Sequence, residues 1–361
     1  MAETLESVLG AETLTGLIAS PMGGVPADII PPGFMDGPAR PVDGDTASWY
    51  QYANTRVAAK MRSYGGKSIP RDLTGVTERK AKCVHAFENF QHKMTTLENL
   101  RSFDSPAKQK RGKQLLAIET AESRTYLNNL RIGVFLSMLR YGKIYFGSDG
   151  QLLPSSSGAL TTVDFEVPAS HIANTVINEW DTASTDIAGQ IAALRVARRK
   201  SSGAKIDVAF YGSGILGLLA SNTQAAQILA NDVTMAASFK SGVIPDGLYG
   251  IAKWYPVAEG FMESADGTQT SWFGANHLTF CPAPSSLWLE TVEGSFPVPS
   301  NLRVAADAEQ AAMDFSDVNG MFSYAEITTD PPGIKQMYGD TFLNCLKVPT
   351  AVEIVADAGA A

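Results

Sequence analysis

The sequence is poor in the residues from which catalytic and metal sites are built. Its 361 residues hold three cysteines, Cys83, Cys281 and Cys345, widely separated and with no C-x-x-C. That pattern excludes a disulfide framework and a cysteine zinc site, and suits isolated, reduced thiols. Four histidines (85, 92, 171 and 277) leave little material for a histidine metal centre or a Cys/His nucleophile pair. G-x-S-x-G, H-E-x-x-H and G-x-x-x-x-G-K-[ST] are all missing. Gly66-Lys-Ser68 supplies only the end of the last pattern, because Met61 stands where its first glycine belongs. Long apolar runs are missing too: Ile132-Gly-Val-Phe-Leu-Ser-Met-Leu139 is far too short to span a bilayer. The start, Met-Ala-Glu-Thr-Leu-Glu, lacks the basic and apolar regions of a secretion signal. The expectation is a soluble chain, used in a cytoplasm, without membrane, metal or cofactor.

What is present is a core-forming composition with unevenly placed charge. Apolar residues make up 45% and charged residues 18%, enough for a packed core and too apolar for wholesale disorder. The net charge is −8, yet residues 51–145 carry 18 Lys/Arg against 7 Asp/Glu, while the remainder carries 11 against 30. A basic stretch in an acidic protein can meet nucleic acid, or it can meet the acidic remainder of a second copy. The overall pI of about 5.1 favours the second.

Residues 21–44 hold six prolines and five glycines, which preclude a helix and predict an extended arm. Ile29, Ile30, Phe34 and Met35 give that arm apolar side chains to lay on a surface. In residues 54–82, Gly65-Gly66 lies between two basic stretches and predicts a long hairpin with its tip at the double glycine. Such a two-stranded ribbon is marginal alone and too polar to make its own core.

The sharpest local signal is a helix over 105–141. Ser105 stands at the N-cap, Pro106 at the first helical position and Gly142 at the stop, with Leu116, Leu127, Leu130, Val134 and Met138 on one stripe. At 1.5 Å per residue it spans roughly 50 Å, the length of a strut. Beyond it, Lys143-Ile-Tyr-Phe and Gln-Leu-Leu about Asp149-Gly150 predict a hairpin, and Val163-Asp-Phe-Glu-Val167 a further strand. A helix over 182–200 with Asp186 in its first turn, a buried strand Ile206-Asp-Val-Ala-Phe-Tyr211 and a helix over 215–230 follow. Short strands then fill 243–300 and 318–356. The class is α+β.

Two constellations invite chemistry. Gly212-Ser-Gly214-Ile-Leu-Gly217 fits G-x-G-x-x-G between a strand and a helix, with Asp232 twenty residues beyond Gly212. A dinucleotide fold would seat pyrophosphate there. However, no clear strand ends at Asp232 and no further βα unit follows, so a tight packing turn is the preferred reading. His85, Glu88 and His92 would share a face of a helix as metal ligands. Val84, Ala86, Phe87 and Phe90 crowd between them, and a strand with an exposed polar face accounts for them better.

In order, an arm, a basic hairpin, a strut helix, a β-hairpin and an α+β region resemble the HK-97-like major capsid proteins of tailed phages, in particular the lambda-type branch. Met61-Arg-Ser-Tyr-Gly-Gly-Lys-Ser68 is similar to the tip of that family's extended loop, the E-loop. Gly142-Lys-Ile-Tyr-Phe146 and Val163-Asp-Phe-Glu-Val167 are similar to the strands after its spine helix, and Asn178-Glu-Trp180 with Asp186-Ile to the start of its A-domain. Ile206-Asp-Val-Ala-Phe-Tyr-Gly-Ser-Gly-Ile-Leu-Gly-Leu-Leu219 is similar to its strand-plus-helix core. Ala325-Glu-Ile-Thr-Thr-Asp-Pro-Pro332 and Thr341-Phe-Leu-Asn-Cys-Leu-Lys-Val-Pro-Thr-Ala-Val-Glu-Ile-Val355 are similar to its returning strands.

The resemblance implies an N-terminal arm over 1–44 and a P-domain over 45–168 that includes the E-loop 54–82 and the spine helix 105–141. An A-domain over 169–325 and a C-terminal return over 326–361 complete it. It implies a non-enzymatic subunit that assembles as hexamers and pentamers into an icosahedral head around double-stranded DNA, built in the host cytoplasm and resident in the virion. Contacts between copies are expected from Arg62, Tyr64, Lys67 and Arg71 of the E-loop and Ile29, Ile30 and Phe34 of the arm. Portal, scaffold and decoration proteins are the expected partners, with weak, non-specific contact to the enclosed DNA. An encapsulin-like compartment shell of the same fold, and remotely a nucleotide-dependent oxidoreductase using Gly212, Gly214 and Gly217, are the alternatives.

Overall fold

A computed structural model describes residues 13–15, 30–31, 33–35, 39–52, 75–101, 105–148, 150–172, 176–257, 261–263, 269–299, 303–304, 315–329 and 332–359. Through this chain runs one long helix. Strands β1 (Arg40–Val42), β2 (Thr46–Tyr52), β3 (Val76–Lys82) and β4 (Val84–Gln91) and the short helix α1 (Met94–Arg101) lead into α2 (Pro106–Tyr141). Its bounds are those predicted. Pro106 fits the first turn because the missing N–H has no partner there, and Gly142 ends the helix at φ +65° with its N–H on Met138 O. Ser105 sits at the N-cap but its side chain makes no capping hydrogen bond.

The two glycines that weaken α2 as a helix former are where other elements cross it. A Cβ on Gly112 would lie 2.8 Å from the Leu100 backbone nitrogen of α1, and one on Gly133 only 2.2 Å from the Trp272 ring. Residues 132–139 are buried on every side, in a cluster with Phe34, Phe210, Trp272, Trp288 and Phe342. Each large apolar side chain so enclosed contributes about 1.5–3 kcal/mol.

After α2 come β5 (Lys143–Phe146) and β6 (Thr161–Asp164), which pair with each other. The predicted partner of β5, the stretch after Asp149-Gly150, makes only one bridge, Phe146 to Leu152. Helices α3 (Ala169–Ile172) and α4 (Ile187–Ser201) follow. Asp186 is the N-cap of α4, not a member of its first turn, and accepts from Gly189 N at 2.9 Å. Strand β7 (Val208–Tyr211) then leads to three helices where one was expected: α5 (Ile215–Ser221), α6 (Thr223–Asn231) and α7 (Val233–Lys240). Asn222 and Asp232 divide them, each accepting hydrogen bonds from the first turn that follows.

Strands β8 (Lys253–Pro256), β9 (Phe261–Glu263), β10 (Gln269–Ser271) and β11 (Leu278–Cys281) complete this part. A four-stranded sheet in the order β16-β11-β7-β8, with β16 at Glu353–Val355, packs against α4, α5 and the Leu248–Ile251 turn around Trp180, Ile191, Leu219 and Trp254.

The larger sheet takes its strands from distant parts of the chain: β1, β12 (Leu289–Pro299), β13 (Arg303–Val304), β14 (Phe315–Thr329), β15 (Pro332–Leu346) and β4. β14 and β15 pair as far as Gly320 and Thr341, then part. β12 enters the fork, pairing through residues 289–293 with β15 and through 295–299 with β14. Gly294 lies at the switch, where a Cβ would sit 2.6 Å from Thr341 Cγ2, and Gly320 takes φ +73° at the fork. β12 and most of β14 fall within 169–325 of the chain, yet they lie in one sheet with β4 and β15.

Candidate assembly interface

The fork is where α2 is fixed to the sheet. Arg131 donates from Nε and Nη2 to both carboxylate oxygens of Asp340, at 2.5 and 2.7 Å, and from Nη2 to Glu293 Oε1 at 2.9 Å. Its guanidinium also lies 4.9 Å from the Phe342 ring centre. Asp340 is fully buried; burial raises its carboxyl pKa and Arg131 opposes that rise. A planar, permanently charged fork is the group that can hold two carboxylates in so dry a place. Four residues earlier on α2, Leu127 packs on Tyr338, with Ala86, Phe90 and Met321 around them, so one face of the sheet is closed by the helix.

The other face carries an aromatic layer. Phe296 and Phe322 stack at 4.3 Å, His85 stacks on Phe296 at 5.1 Å, and Phe87 and Tyr324 extend the row. Phe322 is buried beneath its neighbours, lying across Gly339, while Phe87 is 45% exposed. β4, which bears His85 and Phe87, is the edge of this sheet.

The ribbon of β2 and β3 is anchored at its base. Trp49 Nε1 donates to Leu346 O at 3.2 Å, Gln51 Nε2 to Phe165 O at 3.0 Å, and Tyr52 N to Lys347 O at 2.9 Å. Arg79 bonds Gln51 and pairs with Glu166. Its outer side is left uncovered: Tyr50, Tyr52 and Val76 are 55%, 45% and 54% exposed. The far half of α2 buries one side, at Gly112, Leu116, Thr120 and Ser123, and leaves the other open. Lys108, Lys110 and Arg111 are exposed in its first two turns, with no acidic residue in the first. Cations at a helix N-terminus oppose its dipole and call for an anion from elsewhere.

Of the residues expected to contact other copies, Ile29, Arg62, Tyr64, Lys67 and Arg71 lie outside the described residues. Ile30 and Phe34 are buried in the chain's own core, Phe34 with its ring 5.4 to 6.0 Å from those of Phe135, Phe210 and Trp288. Both side chains are spent inside the subunit, because an aromatic ring at that place completes the junction of α2 with β7.

The chemical alternatives resolve into structure. Gly212 N donates to His277 O and Gly214 N to Ala275 O, and a Cβ on either glycine would strike the 274–276 backbone or Asn276. Protein therefore occupies the space a pyrophosphate would need, and Asp232 caps a helix instead of ending a strand. His85 bonds Thr341, Glu88 accepts from Tyr338 and His92 pairs with Glu119, so the three are dispersed along β4 and its end. Among the described residues no His/Cys/Asp/Glu group could hold a metal ion. Burial raises the pKa of all three thiols, that of Cys83 to about 11, which makes them poor nucleophiles. No described helix is long and apolar enough to cross a membrane.

Sequence reasoning missed Arg131, the aromatic layer and the anchors of the ribbon. The one available signal was an arginine between Leu130 and Ile132 at the edge of an apolar run, a position that demands buried partners.

Residues 34–295 match the family model described as phage major capsid protein E. No curated protein matches the chain by sequence. Among solved structures, a phage-related protein of Bordetella bronchiseptica RB50 is similar at a TM-score of 0.52 and 9% identity, over 97% of this chain and 98% of that one. A prophage protein of Escherichia coli CFT073 follows at TM-score 0.49 and 12% identity, over 78% and 80%. The mature capsid subunit of bacteriophage PhiM1 stands at 0.42 and 12%, over 93% and 90%.

Proposed function

The chain belongs to the phage major capsid protein E family, and from that premise we propose how it makes a shell. It is a structural, non-enzymatic component of the virion capsid, with the α+β fold of the HK-97-like proteins. In our reading it forms hexamers and pentamers that close into an icosahedral head around the double-stranded DNA of a tailed phage. Assembly takes place in the host cytoplasm on a scaffold and around a portal, with decoration proteins as further partners.

One observation supports the route of assembly most. Among the described residues, the β2–β3 ribbon packs Ala47, Trp49 and Gln51 on the core and presents Tyr50, Tyr52 and Val76 to solvent. A two-stranded ribbon gains independent stability only by packing on something. The segment it carries holds Arg62, Tyr64, Lys67 and Arg71, and we assign these to the acidic surface of an adjacent copy. Many modest contacts of this kind, repeated over a shell, hold through avidity. The sheet with α2 serves as the P-domain and the β16-β11-β7-β8 sheet with its helices as the A-domain.

The test is light scattering with negative-stain microscopy on the purified full chain across salt concentrations. Shells or rings that form at low salt, and weaken with Arg62→Ala and Lys67→Ala together, support this reading. A small oligomer at every concentration, or one that binds a nicotinamide dinucleotide, refutes it.

A further inference from the structure

His171 stands in α3, where the chain passes from β6 towards the small sheet, and it is 4% exposed. Its Nδ1 donates to Val352 O at 3.1 Å, and its Nε2 accepts from Arg198 Nη1 in the last turn of α4. A carbonyl can only accept and a guanidinium can only donate, so this ring is neutral, with its one proton on Nδ1. Arg198 Nε lies 2.8 Å from Glu353 Oε2 of β16, a side chain that is 1% exposed. The same carboxylate oxygen is 3.6 Å from His171 Nδ1. Three elements thus meet in one buried group of a cation, an anion and a neutral ring.

β16 is shared between the two cores. Val352 and Ile354 pack in the cluster around α2, and Val355 in the cluster of Trp180 and Ile191. What joins α3 and α4 to β16 therefore lies on the seam between them. The surrounding elements direct their charges elsewhere. Arg195 of α4 lies against Gly250, and Arg199 and Lys200 are exposed. Arg140, at the end of α2, donates to Trp272 O, and Asp357 accepts from Gly359 N. The Pro349–Ala351 turn brings only the uncharged Thr350 hydroxyl.

A proton on Nε2 would face the Arg198 guanidinium and set two cations beside one carboxylate, out of water. Burial first, and Arg198 second, accordingly hold the ring's pKa below its ordinary value, opposed by Val352 O. An unfolded histidine takes up its proton near about pH 6.5. The contact is therefore at full strength above that pH and weakens as the pH falls.

We propose that His171, Arg198 and Glu353 form an acid-released latch: mild acid frees α3 and the last turn of α4 from β16, ahead of any opening of the enclosed half of α2.

The experiment follows amide exchange, corrected for its intrinsic rate, in the unassembled full chain from about pH 8 to about pH 5. It compares wild type with His171→Gln, which stays neutral throughout, and with His277→Gln. In wild type, residues 187–201 and 353–355 should lose protection by about tenfold per pH unit at most, the limit for one proton, while 132–139 keep theirs. His171→Gln should remove most of that loss, and His277→Gln should leave it in place. Histidine nitrogen NMR of the wild type should show His171 protonated on Nδ1 alone at neutral pH and gaining its second proton over the interval in which α4 opens. That spectrum decides the matter if His171→Gln does not fold. An undiminished loss in His171→Gln, or its disappearance in His277→Gln, would overturn the proposal. So would opening of 132–139 together with α4, or a His171 ring still neutral after α4 has opened.

Discussion

The two halves of α2 are one helix doing two kinds of work. From Ile132 to Leu139 it is enclosed on all sides by the chain's own core. From Pro106 to Tyr126 it carries Lys108, Lys110, Arg111, an exposed Ile118 (64%) and an exposed Tyr126 (57%). Arg131, with its carboxylates supplied by the fold, marks the boundary. The lesson is that the strut is enclosed all round at one end and covered on one side only at the other, where Gly112, Leu116, Thr120 and Ser123 are buried. A long helix can carry both states because its backbone bonds are satisfied internally whatever covers its sides.

The comparison breaks first at the clamp. Arg131→Ala should cost about 3–5 kcal/mol of subunit stability, because it strands Asp340 and Glu293. Chemical denaturation of the unassembled chain measures it, and a loss below about 1 kcal/mol would show that the fork does not hold the helix. Gly133→Val comes next, at about 1–3 kcal/mol, since the new side chain must displace Trp272. The same change in an open turn of the first half should pass almost unnoticed.

Where α2 ends, Leu139 O accepts from Thr279, and Arg140 lies near His277. Burial first, and Arg140 second, lower the His277 pKa to about 3. The unfolded chain takes up this proton near pH 6.5 and the folded one does not, so stability is full above that pH and falls towards pH 3. The slope is at most about 1.4 kcal/mol per pH unit, and it should flatten in His277→Gln. An identical acid limb in that variant would exclude His277 as its source. The smallest effects belong to the open half. Ile118→Ala and Tyr126→Ala should shift stability by less than about 0.5 kcal/mol, and Ser105→Ala likewise, since its side chain caps nothing. Thermal melts of the unassembled subunit decide these, and a loss of 2 kcal/mol at Tyr126 would mean that this half is covered within the chain.

What could be read beforehand follows from how local each signal is. Pro106 and Gly142 act within one turn, and both ends of α2 were legible. So were the α+β class, β7 as a buried strand and the Gly212 turn as packing. Asn222 and Asp232 were legible in principle, being N-cap residues, but the apolar run around them masked two helix breaks. The hairpin about Asp149-Gly150 forms only briefly, through Gly147 N on Gln151 O and Leu153 N on Tyr145 O, and β6 on the opposite edge of β5 was not foreseen as its longer partner. The Arg131 clamp joins residues more than 160 positions apart, and nothing local announces Asp340 as its partner. Phe34, in a proline- and glycine-rich stretch, gave no sign that its ring fills the core.

Hydrogen–deuterium exchange on unassembled and assembled subunits tests the division of α2 most directly. Residues 132–139 should exchange slowly in both states, while 106–126 and the β2–β3 ribbon should gain protection only in the shell. Equal protection of both halves in the free subunit, unchanged on assembly, would contradict the account.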